Sequence, residues 1–78
     1  MSDKKVNIEL TKEEAIVLFE FLGRFNENED SSRFEDQAEQ RVLWNIESSL
    51  EKKLSEPLRA DFQDIVSKSR ERLRDKNE

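Results

Sequence analysis

The sequence contains no cysteine, no histidine and no tyrosine, and only one glycine, one proline and one tryptophan. Without cysteine there is no disulfide framework, no thiolate nucleophile and no thiolate metal ligand. Without histidine the commonest general base and the commonest transition-metal ligand are both missing. A serine or threonine nucleophile would need activation by lysine or a carboxylate, and a metal could be held only by hard oxygen ligands from Asp, Glu or Asn. An enzyme is therefore a minority expectation; no catalytic residue and no cofactor is assigned. Long apolar runs are absent too. Nothing approaches the roughly 18 apolar residues that span a bilayer, residues 1–5 are polar with no apolar leader core, and no Asn-x-Ser/Thr acceptor occurs. The expectation is a cytoplasmic protein without a membrane partner.

What remains is dominated by charge. Of 78 residues, 19 are Asp or Glu and 14 are Lys or Arg, for a net charge of −5, while the hydrophobic fraction is 33%. That is one small domain over residues 1–78, with 1–4 and 75–78 expected to fray. A domain of this size buries only about 60% of its unfolded surface, and without staples its core rarely contributes more than a few kcal/mol. Unusually efficient helix packing or a second chain must supply the rest, and a homodimer is the first expectation.

Little turn chemistry and much Glu, Lys, Arg, Gln, Leu and Ala make the chain all-α. Val6, Ile8 and Leu10 alternate with Asn7 and Glu9, the period of a half-buried strand, so a short extended N-terminal arm precedes the helices. A lone strand needs a partner. That partner is either the same arm of a second copy, in a two-stranded ribbon, or a helix groove along which the arm lies. Thr11 and Glu14 have capping-box spacing and start the first helix. From Ala15 to Phe25, eight of eleven residues are apolar, too much of the circumference for a helix with one covered side. This helix is expected to be central, or covered on two sides, one of them by another chain. Gly23 within it is read as a site of close backbone approach, against a weakened last turn. Residues 26–32 form a loop. A second capping box, Ser32 to Glu35, starts a helix over 33–54 whose apolar face holds Ala38, Val42, Leu43, Ile46, Leu50 and Leu54, with Phe34 at its edge. Trp44 lies about 160° from Ile46 on the wheel, off that face. Ser55-Glu56-Pro57 or Asp61 opens a third helix reaching about Arg74, with Phe62, Ile65, Val66 and Leu73 at helical spacing and Leu58 either a first contact or part of the turn.

Several patterns invite chemistry. Asn26, Asn28 and Asp30 match the first oxygen ligands of a calcium loop, but Ser31 stands where glycine is required and Gln37 where a bidentate glutamate is required, so a solvated loop is expected. Lys68, Arg70, Arg72, Arg74 and Lys76 form a basic stretch, with Lys68, Arg72 and Lys76 stacked at four-residue spacing. Glu71 and Asp75 interrupt it, and positive charge suits a helix C-terminus in any case, so nucleic acid is not the expected partner. Residues 1–40 carry net −6 and residues 41–78 net +1. Complementarity within one bundle is the safer reading of that asymmetry, and orientation of a partner the other. Trp44 and the stripe Ile16, Phe19 and Gly23 form the candidate protein interface, because aromatic anchors and small residues mark closely packed contacts. The alternative is that the arm or the third helix covers them.

The stretches from Glu9 to Leu22 and from Asp36 to Glu47, including Glu-Leu-Thr-Lys-Glu-Glu-Ala and Asp-Gln-Ala-Glu-Gln-Arg-Val-Leu-Trp, resemble short bacterial proteins usually labelled hypothetical. The resemblance implies a bacterial cytoplasmic protein and no particular activity. The resulting expectation is a three-helix bundle with an N-terminal arm, completed by homodimerisation: a small acidic protein-protein interaction module that self-associates through part of the first helix and Trp44. A neutralising protein of the immunity or antitoxin kind, steered by acidic charge to a basic protein partner, is the alternative. An oxygen-ligated Mg²⁺ enzyme or nucleotide binder using Glu27, Glu29 or Asp30 ranks third, unsupported by any glycine-rich phosphate loop.

Overall fold

The computed structural model describes residues 4–27 and 31–74. Residues 28–30 of the acidic loop, Lys76 of the basic stretch and the chain ends expected to fray at 1–3 and 75–78 lie outside them. The described residues hold three α-helices: α1 (Lys12–Glu27), α2 (Gln37–Lys53) and α3 (Phe62–Leu73). Single 3₁₀ turns at Ser31–Arg33 and Glu56–Leu58 connect them. No strand occurs among the described residues, and residues 4–11 form neither helix nor strand. None of the described helices is long and apolar enough to cross a membrane.

Helix α1 starts where its capping box dictates. The Glu14 amide donates to Thr11 Oγ1 at 3.1 Å and the Thr11 amide donates to Glu14 Oε1 at 2.8 Å, satisfying two amides that lack helical partners. The helix ends later than the sequence suggests: Asn26 and Glu27 are helical, and the Asn26 side chain donates to Glu47 Oε1 of α2 at 2.7 Å. Helix α2 starts later as well. The helix does not start at the Ser32 to Glu35 capping box; Asp36 is the N-cap, its carboxylate accepting from the Ala38 amide at 2.7 Å, while Glu39 accepts from the Glu35 amide at 2.9 Å. The reason lies just upstream. Arg33 donates to the Phe25 carbonyl at 3.1 Å and stacks its guanidinium 3.9 Å from the Phe25 ring centroid, and Phe34 meets Phe25 edge-on at 5.9 Å. The connection is tied to the end of α1, where carbonyls lack helical donors, and becomes helical only beyond that tether. Of the two starts considered for α3, Asp61 prevails, and Pro57 opens the 3₁₀ turn instead. Asp61 makes no side-chain cap, because its carboxylate is engaged by Arg59 at 3.0 and 3.2 Å. Leu58 belongs to the turn and is exposed.

Helix α1 is the central element, packed against both α2 and α3. Its broad apolar surface is therefore covered on two sides by its own chain. Helices α1 and α2 run in opposite directions: Glu47 meets Asn26 near the end of α1, while Leu50 and Leu54 share a groove with Lys12 and Ala15 near its start. The buried apolar core is Ile16 and Leu22 from α1, Leu50 and Leu54 at the end of α2, and Val66 of α3. Ala15, Leu18, Phe19, Leu43, Phe62 and Ile65 pack around it, half-buried. Ser69 is buried beside them, a polar core position that hydrophobic patterning does not reveal.

The charge asymmetry of the sequence is answered in part within the chain, where two carboxylates of the acidic half meet arginines of the basic half. Arg72 reaches Glu13 at 3.0 Å, Arg70 reaches Glu20 at 2.9 Å and Lys12 reaches Glu56 at 3.2 Å. Exposed pairs of this kind contribute little individually, about 0 to 1 kcal/mol, but like charges in these places would oppose the α1–α3 approach. The Glu56 carboxyl is held below its ordinary value of 4.5, first by the hydrogen bond from its own backbone amide and then by the Lys12 ammonium. A lowered carboxyl favours the folded state above its unfolded pKa, and the advantage is lost as pH falls through the folded value. The expected result of Glu56→Gln is a shallower loss of stability on acidification below about pH 4.5 than in the native sequence, measured by urea unfolding across pH 3 to 6. Thr11→Ala removes the α1 N-cap and is expected to cost about 1 kcal/mol in the same measurement at neutral pH.

Candidate interaction surface

Of the four residues singled out by the sequence, Ile16, Phe19 and Gly23 lie on α1, Gly23 at its seam with α2, and Trp44 lies on α2. Gly23 faces α2, where a Cβ on it would lie 3.7 Å from Glu47 Oε2. Ile16 faces α3, sharing a concave surface with Ile65 and Ser69, and is only 2% exposed. Phe19 is half-buried against the core. Trp44 is 38% exposed, with the Arg41 guanidinium 5.5 Å from its ring centroid. Of the constellation, Trp44 alone presents a large open surface, whereas Ile16 is part of the core of its own chain.

Gly23 does not meet a neighbouring backbone. Its nearest neighbour across the seam is a flexible carboxylate at ordinary van der Waals distance, so nothing in the packing demands glycine there. Gly23→Ala is expected to stabilise the protein by about 0.5 to 1 kcal/mol through helix propensity, read as a higher urea midpoint. A lower midpoint would mean that Glu47 cannot yield.

A larger open surface lies on the opposite flank of α2. Val42 and Ile46, both assigned by their spacing to the core face, are 53% and 39% exposed. With Ala15, Leu50, Leu54 and residues 6–8 and 10–12 they bound a groove of ≈ 700 Å³. Val6, Ile8 and Leu10 on its N-terminal wall are 89%, 79% and 42% exposed, so the arm does not bury its apolar side chains in its own groove. The wheel contained a signal for this. Val42 and Ile46 lie about 100° and 60° to one side of Leu43, and one neighbouring helix covers only the half of that arc holding Leu43, Leu50 and Leu54.

An apolar and aromatic strip also runs along the outer side of α1, where Phe21 meets Phe25 at 5.6 Å and Arg24 lies 5.7 Å from the Phe21 ring centroid. The basic C-terminal stretch is paired in part. Lys68 meets Asp64 at 3.2 Å, and Arg70 and Arg72 answer the α1 carboxylates. A smaller concavity of ≈ 270 Å³ between α1 and α3 is edged by Lys12, Arg59, Lys68 and Arg72, but each of these cations has a carboxylate partner. It has none of the uncompensated positive charge of an anion site. Among the described residues no three acidic side chains converge so as to hold a metal ion; Glu29 and Asp30 of the Mg²⁺ alternative lie outside them. No family model, curated protein or solved structure matches the chain.

Proposed function

We propose that the protein is a small acidic helical module whose work is protein-protein binding rather than chemistry, and that it self-associates. One observation carries this reading: among the described residues five large apolar side chains are buried, whereas nine are exposed, Val6, Ile8, Leu10, Val42 and Ile46 bordering one groove. Contiguous open apolar surface on so small a chain marks association. Trp44, with Arg41 against its ring, supplies a second docking point of the aromatic and arginine kind enriched at binding hot spots. In this reading Trp44 serves a heterologous protein partner, while Gly23 faces the α1–α2 seam and Ile16 and Phe19 belong to the core and its surround.

A neutralising role toward a basic protein is the second reading, supported by the acidic first half of the chain. It draws on fewer free carboxylates than the sequence suggests, since Glu13 and Glu20 answer Arg72 and Arg70. Such binding would weaken steeply with added salt.

Sedimentation equilibrium over a wide concentration range tests the main reading. The expected outcome is a reversible monomer-dimer equilibrium that persists at high salt, because apolar contact is not screened. A single monomer mass at every concentration would overturn self-association.

A further inference from the structure

We infer that a second copy of this chain closes the groove, residues 5–10 of the two copies pairing antiparallel as a two-stranded ribbon over Val42 and Ile46. The inference rests on the self-association reading and names its surface.

Three observations lead there. First, the main chain of residues 5–10 makes no hydrogen bond within the described protein. It offers a full row of donors and acceptors to a pairing strand. Second, the alternation of this segment is self-complementary. A two-fold axis through Ile8 sets Val6 opposite Leu10 of the second copy and Ile8 opposite itself, so all six apolar side chains share the face that meets the grooves. The other face carries Lys5, Asn7 and Glu9 in that order. An antiparallel copy brings Lys5 diagonal to Glu9, within reach of long side chains, whereas a parallel copy would set lysine against lysine and glutamate against glutamate. The charge order thus selects the two-fold arrangement. Third, the area suffices. Val6, Ile8, Leu10, Val42 and Ile46 together expose the equivalent of about three whole side chains, on the order of 300 Å² of apolar surface per chain. Two copies give roughly 600 Å², and with the usual polar share of an interface the total comes to about 1,000 Å², the size at which specific association begins.

This arrangement leaves Trp44 outside, because it lies about 160° around α2 from Ile46. The dimer would carry two outward tryptophans for another partner.

The test is sedimentation equilibrium of the full chain and of Ile8→Lys, with Trp44 emission recorded on the same samples. Ile8 is exposed, so the variant is expected to keep its helical circular dichroism while its dimer dissociation constant rises about a hundredfold, tenfold for each symmetry-related site. Trp44 emission is expected to be the same in monomer and dimer. Lys5→Glu should weaken the dimer, and adding Glu9→Lys should restore it. An unchanged dissociation constant for Ile8→Lys overturns the proposal. A dimer whose formation shifts Trp44 emission to the blue would place self-association at the Trp44 flank and refute the arm pairing alone. A protein that stays monomeric refutes both the pairing and the self-association on which it rests.

Discussion

The structure depends on a first helix that cannot be left with an uncovered side. Helix α1 carries apolar residues around most of its circumference, and it folds only by taking a neighbour on each flank. Leu22 and Ile16 engage α2 and α3 within one core, and Val66 closes it from α3. The carboxylates Glu13 and Glu20, set on the side that faces α3, fix how α3 lies by meeting Arg72 and Arg70. Apolar burial supplies the drive and the charge pairs the orientation, a division that follows from the small net value of exposed ion pairs.

Putting α1 in the middle has a consequence for α2. A helix with one neighbour can bury only part of a wide apolar arc. Leu43, Leu50 and Leu54 use that neighbour; Val42 and Ile46 do not, and the N-terminal segment beside them leaves Val6 and Ile8 almost fully open. The incompleteness of the core and the open apolar groove are thus one fact. Trp44, on the far flank of α2, is a separate one.

Much of this was legible in the residues. Thr11 and Glu14 announce the start of α1, and the excess of apolar positions between Ala15 and Phe25 announces its central place. The start of α2 was not legible, because Ser32-Arg33-Phe34-Glu35 and Asp36-Gln37-Ala38-Glu39 both have the spacing of a cap. Only the long-range attachment of Arg33 and Phe34 to Phe25 decides between them. Periodicity assigned Val42 and Ile46 to a core that has no room on their side, since it reports which face is apolar and not how many neighbours exist to cover it. Gly23 and Ile16 illustrate the same gap. Spacing placed both on one stripe of α1, grouped with Trp44 as an interface, but it carried no information that Ile16 would be enclosed by α3 or that a carboxylate would be the neighbour of Gly23.

This chain leaves apolar surface open along its N-terminal segment and α2, and a second copy is proposed to close it. Amide hydrogen exchange of residues 5–10, followed in dilute and in concentrated solution, tests it most directly. Arm pairing predicts fast exchange throughout the segment when dilute and protection of every second amide when concentrated, the signature of a two-stranded antiparallel pair. Exchange equally fast at both concentrations would contradict it.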